Sequence, residues 1–368
     1  MLPSTVARFA GAAALVASLA QAQSLPPLDI GVCYDDYNAG YIDLHFSVLA
    51  QTFTSVRTFK MYLQSPYYPY TVYSNPVDIA AKYNLKLVAG VGVNSLDKDV
   101  ASIIDGTARN PTTITTVYVG NGELGSGAIT AANLVSLLNS VRGRLQAAGI
   151  YVPVGTVQPD TAFAANPTVA AASDVVGLSI SPFTSPDPLS ISNPFAYVQK
   201  VWTAARDKFG WKVRLAEAGL PSRGAPLNGH TPDAAVQEAF FKNLTRWQAL
   251  EQTPAPFYAQ FIDNAYKPDF NVFMGLTAPD AAWKFNAAQY TGPNRDVEVG
   301  IDFAGQDLTS SPGTTPATCL SACWAADGCN AYTLAYGMCY LKTARNGTAA
   351  NAAVTSARVL KCALESNL

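Results

Sequence analysis

From residue 28 to about 265 the chain alternates short apolar runs with longer amphipathic stretches. The apolar runs cover residues 28–34, 56–62, 85–93, 114–121, 152–158, 175–183, 213–219 and 257–263. Several are continuous Val, Ile and Leu, as parallel strands covered on both faces require. The stretches between them carry helix signals. Thr231-Pro232-Asp233 offers an N-cap, a proline at the first helical position and an acid in the first turn, and Val236, Phe240, Leu244 and Trp247 follow as an apolar stripe. Residues 131–148 and 194–208 read similarly, each closed by a glycine soon after. Eight strand–helix units in a chain of 368 residues fit an α/β fold, the (β/α)8 TIM barrel, better than an open sheet.

Past the barrel the composition shifts. The turn-rich Thr291-Gly292-Pro293-Asn294-Arg295-Asp296 reads as a linker (291–296) between a barrel domain at 23–290 and a small unit at 297–368. Of the six cysteines, Cys319, Cys323, Cys329, Cys339 and Cys362 crowd into that unit, which points to a disulfide-rich module. Zinc is the competing reading, but the segment has no His and no Cys-x-x-Cys pair, so neither a metal nor a cofactor is expected. Residues 1–22 have the form of a secretory signal: Arg8, an Ala/Leu/Val-rich stretch, then Ala20-Gln21-Ala22. That stretch is too short to span a bilayer, no later one is long enough, and the last residues lack the apolar tail of a lipid-anchor signal. Export to the extracellular space or cell wall is expected. With 14% charged residues and a net charge of −2, the chain offers no basic field for nucleic acid.

Glu217 is the residue that breaks the apolar pattern. It stands in Val213-Arg214-Leu215-Ala216-Glu217-Ala218-Gly219-Leu220-Pro221-Ser222, at the tail of a β-like run just before a Gly/Pro turn. An ionised group at the end of a buried strand is costly unless it has a task. In a (β/α)8 barrel that end of the strand faces the active site. The fourth run ends Val117-Tyr118-Val119-Gly120-Asn121-Gly122-Glu123-Leu124, which brings a second carboxylate, Glu123, to the same end of the barrel. Two carboxyl groups flanking one bond is the requirement of glycoside hydrolysis, with a separation of roughly 5 Å in retaining enzymes.

These segments, in order along residues 28–285, resemble the family 17 glycoside hydrolases, which are endo-1,3-β-glucanases and glucan transglycosylases. The Glu217 segment is similar to the family's Ser-Glu-Thr-Gly-Trp-Pro-Ser nucleophile motif, with Ala216, Ala218 and Leu220 as departures. Gly120-Asn121 matches the family's Val-Gly-Asn-Glu, but Gly122 takes the next place and Glu123 comes one residue late. Side chains alternate along a strand, so this slip aims Glu123 the wrong way unless a bulge at Gly122 restores it. The alternative is a barrel whose acid is lost and which only holds glucan. Gly31-Val32-Cys33-Tyr34 resembles the family's first strand, and Val56-Arg57-Thr58-Phe59 its second, with Phe59 in place of Tyr. The segment from Phe257 to Lys267 resembles strand 8, keeping Asp263 and Lys267 but with Gln260 and Asn264 where Glu is usual. Phe273-Met274-Gly275-Leu276 resembles a later Phe-Gly-Leu signal, with Asn271 where a Glu usually lies, and Ser179 and Ser181 replace the usual Asn and aromatic or His before Pro182-Phe183.

The resemblance implies a secreted retaining enzyme that cleaves β-1,3-glucan by double displacement, with Glu217 as nucleophile and Glu123 as acid/base. It also implies that Tyr34, Arg57, Asn121, Phe183, Tyr258, Gln260, Asp263 and Lys267 bind the sugar. Transfer to a second sugar in place of water fits the same fold. Read from the residues alone, Arg57 is equally the counter-ion of a barrel carboxylate, Asp263 and Lys267 a structural pair, and Tyr34, Tyr62, Phe183 and Tyr258 core. Asp35 and Asp36 fall in the first loop above the barrel, at the cleft rim. His45 and His230 show no triad spacing, and the glycines of 120–127 lack the Lys-Ser/Thr ending of a phosphate loop.

The stretch from Val299 onward, with its cysteines, resembles a PAN/apple module, and that resemblance implies the pairs Cys319–Cys339 and Cys323–Cys329. The family's terminal pair is broken, since no cysteine lies near residue 298 to meet Cys362; Cys33 is either its partner or a buried thiol of a barrel strand. Such modules bind proteins or carbohydrates, and an inert spacer is the plain alternative. Asn346-Gly347-Thr348 and Asn243-Leu244-Thr245 are glycosylation sequons, the first in a polar loop and the second beside an apolar helical stripe.

Overall fold

The computed structural model describes residues 30–64, 73–251, 254–287, 294–345 and 347–359. The expected leader at 1–22, Cys362 and Asn346 lie outside these residues. Eight parallel strands close into a barrel in sequence order: β1 (Gly31–Tyr34), β2 (Ser55–Thr58), β3 (Lys86–Val91), β4 (Ile114–Asn121), β5 (Val154–Gln158), β6 (Val175–Ile180), β7 (Val213–Ala218) and β8 (Phe257–Tyr258). Closure is made by β8 pairing with β1, Gly31 opposite Phe257 and Val32 opposite Tyr258. Side chains pointing outward from the strands, such as Val32, Val56, Leu87, Val117, Val119, Leu178 and Leu215, pack under the helices and are essentially without exposure. Those pointing inward form a smaller cluster of Cys33, Val88, Tyr118, Val157, Val175, Ala216 and Phe257, with Phe59 against it. Burial on both faces is why these strands read as continuous apolar runs.

The covering helices start and stop where their caps dictate. Thr130 accepts from the Asn133 N–H at the head of the helix Ala131–Ala147, and Asn193 accepts from Ala196 N–H ahead of Pro194–Phe209, with Pro194 in the first turn. Gly149 and Gly210 follow those helices at positive φ. The third helix corrects the sequence reading. It runs Ala234–Glu251, and its cap is Asp233, whose carboxylate accepts from Ala235 and Val236 N–H at 2.7 and 2.9 Å, rather than Thr231. A carboxylate serves two donors at a positive helix end, so the start moves to it. The buried stripe moves too: Val236 is exposed, and fully buried Gln237 donates instead to the Leu220 and Gly275 carbonyls, tying the helix to the turns after β7 and β8.

The C-terminal unit is an antiparallel sheet of β9 (Asn294–Asp302), β10 (Asp307–Pro312), β11 (Ala331–Ala335), β12 (Met338–Lys342) and β13 (Ala349–Val359), in the order β10-β12-β11-β13-β9. β9 begins inside the stretch expected as a linker, because Asn294 and Arg295 pair with Val359 and Arg358. A helix at Pro316–Ala325, capped by Thr315 and Thr318, lies on the sheet. Cys319 bonds Cys339 and Cys323 bonds Cys329, and these sulfurs sit in a core with Tyr332, Leu341, Ala357 and Val359. So small a core gains much of its stability from such cross-links. Asn243, by contrast with an exposed-loop acceptor, sits half-buried on the helix Ala234–Glu251, and the Thr245 hydroxyl of its sequon is buried against the Lys242 carbonyl.

Two glycines give opposite tests of this packing. At Gly155 a Cβ would lie 1.8 Å from the Val175 carbonyl oxygen, so the β5–β6 contact requires glycine. At Gly143, exposed in a helix, a Cβ meets nothing within 4 Å. Denaturant unfolding of Gly155→Ala is expected to show a loss of about 2–4 kcal/mol, whereas Gly143→Ala is expected to gain up to about 1 kcal/mol. Similar shifts in both would contradict the strand packing described.

Candidate active site

The site is organised by a cation inside the barrel. Arg57 on β2 is 1% exposed, and a charge so buried must be matched by acceptors. Its Nη1 donates to Glu217 Oε2 at 3.1 Å, to the Ala216 carbonyl at 3.2 Å and to Cys33 Sγ at 3.4 Å. Its Nη2 donates to Asn121 Oδ1 at 2.5 Å. The flat faces of the guanidinium meet the rings of Phe59 at 4.8 Å and Tyr118 at 5.7 Å, a contact that favours Arg over Lys. Asn121 completes a triangle by donating from Nδ2 to Glu217 Oε2 at 3.2 Å. Three predicted residues from β2, β4 and β7 therefore meet at one point.

Strict alternation would not bring them there. On β7, Leu178 faces Leu215 but the next residue, Ser179, faces Glu217, so Ala216 is an extra residue. Ala216 and Glu217 thus both point inward, while Ala218 returns to the outer core. On β4, Tyr118 faces Gly155 and Asn121 faces Val157, which again inserts one residue, next to Gly120 at φ 76°. Each bulge reverses the parity of one strand and turns one side chain into the barrel.

The second bulge bears on Glu123. The expected bulge at Gly122 is found ahead of Asn121 instead, and the residue it re-aims is Asn121. Gly122, at φ 97°, leads the chain out of the strand, and half-buried Glu123 folds back so that its Oε2 accepts from the Asn121 N–H. Both carboxylates therefore hang on one residue, Glu217 on the Asn121 side chain and Glu123 on its backbone. On the other flank of Glu217, Ser179, Ser181, Phe270, Asn271 and Met274 line an open recess.

A second polar cluster sits at the ends of β1 and β8, and it joins residues that the sequence names only separately. Asp35, 8% exposed, accepts on Oδ2 from Gln260 at 3.3 Å and Asn264 at 3.1 Å, and pairs with Lys267 at 2.9 Å. Lys267 also donates to Gln260 Oε1 at 2.9 Å. Phe59 joins the two clusters, since its ring carries Arg57 at 4.8 Å and Lys267 at 5.9 Å. The acid paired with Lys267 thus comes from the residue after β1, and Gln260 and Asn264, which stand where the resembled family usually has Glu, are its neutral partners.

Six of the eight expected sugar contacts are buried: Arg57 and Gln260 are held within the two clusters above, and four others are packed away from the cleft. Tyr34 is 1% exposed and points into the outer layer, where its hydroxyl meets His45 Nδ1 at 2.8 Å. Tyr258 is fully buried and donates to the Leu220 carbonyl at 3.1 Å. Phe183 packs on Phe270 and His230 in the loop after β6. Asp263 accepts from Lys284 at 2.8 Å and Gly275 N–H at 2.9 Å, so it pairs with neither Lys267 nor an open surface. In each case an aromatic or acid near a strand end is used to fasten a helix or loop to the barrel wall.

Cys33, fully buried beneath Glu217, takes an Arg57 proton donor and gives its own to the Ala216 carbonyl at 3.5 Å. Burial pushes its thiol up to about 12, with Arg57 opposing and Glu217 reinforcing the shift. Alkylation at pH 8 followed by peptide mapping should leave Cys33 unmodified in the native protein and modify it only after denaturation. Rapid native labelling would contradict the sealed barrel floor.

Comparison with known proteins adds family and fold. The model of the BtgE/BtgC glycoside hydrolase domain matches residues 31–276. The cell surface mannoprotein MP65 of Candida albicans is 28% identical over 166 residues, covering 43% of this chain and 43% of that protein. The chain thus matches less than half of that relative's length. Among solved structures, a family 17 β-1,3-glucanosyltransferase from Rhizomucor miehei superposes with a TM-score of 0.58 at 17% identity, over 70% of this chain and 95% of that one. CJP38, a β-1,3-glucanase and allergen of Cryptomeria japonica pollen, gives 0.53 at 16% identity, over 71% and 98%. These two likenesses are of fold. The match across the whole barrel, from β1 to the segment after β8, decides the family: the chain belongs to the BtgE/BtgC glycoside hydrolases.

Proposed function

We propose that this barrel cleaves β-1,3-glucan with retention, Glu217 acting as nucleophile and Glu123 as acid/base. The observation that carries the reading is the double use of Asn121, which ties the Glu217 carboxylate to its side chain and the Glu123 carboxylate to its backbone. Glu217 keeps 23% of its side chain exposed, enough for one oxygen to attack while Arg57 and Asn121 hold the other. Attack by Glu217 on the anomeric carbon forms the glycosyl-enzyme as Glu123 protonates the departing oxygen; Glu123 then takes a proton from water, which displaces the enzyme. A second sugar in place of water gives transfer. The linkage is supported by the fold shared with a β-1,3-glucanosyltransferase, a variant of which is in complex with laminaritriose, and with a β-1,3-glucanase.

Other parts of the chain fit that setting. A leader at residues 1–22 and two disulfides suit export, and a partial relative is a cell surface mannoprotein. No described helix is long and apolar enough to cross a membrane. We read the C-terminal unit as PAN/apple-like, with a protein or carbohydrate ligand; binding to the wall would raise the local concentration of the barrel on its polymer.

One observation favours a second reading. Gly122 stands directly after Asn121, and the Glu123 carboxylate rests on the chain's own N–H, as in a glucan-binding barrel whose acid is impaired. Turnover of laminarin by the purified protein separates the two. Glu123→Gln is expected to lower kcat about 10²–10⁴-fold, and Glu217→Gln to lower it at least about 10³-fold, with laminari-oligosaccharide binding retained in both. The first product should appear in the β-configuration by NMR. Binding without turnover in the unmutated protein would replace the enzyme with the glucan-binding reading.

A further inference from the structure

We propose that Gln158 is a positioning residue for Glu123, holding the glycine-rich turn that carries it through the Leu124 and Gly125 N–H groups. The proposal rests on Glu123 being the acid/base. Gln158 is the last residue of β5 and is fully buried, where an unpaired carboxamide is costly. Its Oε1 accepts from Leu124 N–H at 3.1 Å and from Gly125 N–H at 3.2 Å. Two backbone donors can meet only the oxygen of an amide, so the orientation of this side chain is fixed by its partners. Its Nε2 donates to Thr156 Oγ1 at 3.1 Å, itself buried on the same strand.

The turn requires an external anchor. Gly120, Gly122, Gly125 and Gly127 fall close together, three of them at positive φ, and such backbone loses more freedom on ordering than any other. Within the turn, Ser126 N–H donates to the Gly122 carbonyl at 2.9 Å and Ala128 N–H to the Glu123 carbonyl at 2.8 Å. Those bonds fold the loop on itself without fixing it to the barrel. The ties to the neighbouring strand are the Gly122 N–H on the Val157 carbonyl at 2.9 Å and the two bonds to Gln158. Glu123 therefore lies between residues that are both pinned on the end of β5. Gly125 sits so close that a Cβ would be 3.1 Å from the Pro159 ring, which seats the turn on the same strand end. Acid catalysis depends on placing a proton within hydrogen-bond reach of the departing oxygen. Loss of the anchor should therefore act through Glu123.

Leaving-group dependence in the full-length protein tests this. Departure of a sugar hydroxyl needs a proton from the acid, whereas departure of 2,4-dinitrophenolate needs almost none. Gln158→Met keeps the length of the side chain and removes the acceptor. Its kcat/KM on laminaritetraose is expected to fall about 30-fold, and on 2,4-dinitrophenyl β-laminaribioside less than about threefold. Gln158→Glu keeps an acceptor for both N–H groups and should return laminaritetraose kcat/KM to within about fivefold of the unmutated protein, with the basic limb of the pH profile moved upward by the added carboxylate. Equal losses on both substrates, no loss, or an unmoved pH limb would overturn the proposal. Glu123→Gln on the same two substrates separates the layers. Selective loss there with none at Gln158 removes only the positioning role, and no selective loss at Glu123 removes the acid assignment and the proposal with it.

Discussion

Arg57 is the constraint on which the site turns. A guanidinium sealed inside a barrel is costly unless fixed acceptors meet it, and the two terminal nitrogens of Arg57 are met from several strands while its Nε finds no partner. Glu217 supplies the charge, Asn121 and the Ala216 carbonyl supply neutral oxygens, and Cys33 adds a weak acceptor at the same nitrogen as Glu217. Because the same groups meet one another, their positions are over-determined. The geometry of Glu217 thus follows from the need to neutralise Arg57, and a preorganised carboxylate is the result.

Meeting that need requires the strands to break their own rule. In a barrel with two buried faces, the alternation of side chains would send Asn121 or Glu217 outward, into the layer under the helices. The extra residues near Gly120 on β4 and at Ala216 on β7 turn both inward at the end of the strand where loops gather. Phe59 then carries the arrangement across to Lys267 and its acid Asp35, so that two cations share one aromatic ring.

The barrel was legible because its signal is redundant. Eight runs of Val, Ile and Leu report burial on both faces, and each of the expected runs overlaps a strand. Glu217 stood out because a carboxylate at the end of such a run contradicts its surroundings, and Asn121 because it matches the Val-Gly-Asn-Glu of the resembled family. What the sequence hides has a common cause. A bulge changes parity without changing composition, so its place ahead of Asn121 rather than at Gly122 leaves no trace in the residues. Gln158 and Gln237 look like surface side chains, yet both are fully buried and bond loop backbone. Tyr34, Tyr258 and Phe183 show the converse: an aromatic near a strand end has the same letter whether it faces sugar or wall, and here the hydroxyls of Tyr34 and Tyr258 are spent on His45 and Leu220. Asp35 was visible as an acid in the first loop, but the side chains that meet its Oδ2 lie more than two hundred residues away in sequence, as the separation of 225 to Gln260 shows.

The most direct measurement is covalent trapping at Glu217, the proposed nucleophile. The protein would be incubated with 2,4-dinitrophenyl 2-deoxy-2-fluoro-β-laminaribioside, and the adduct located by intact mass and peptide mapping. The account predicts one fluoroglycosyl group per chain, on the peptide that carries Glu217, with the label absent from Glu217→Gln. Label on any other carboxylate, or steady turnover of laminarin with no label at all, would contradict it.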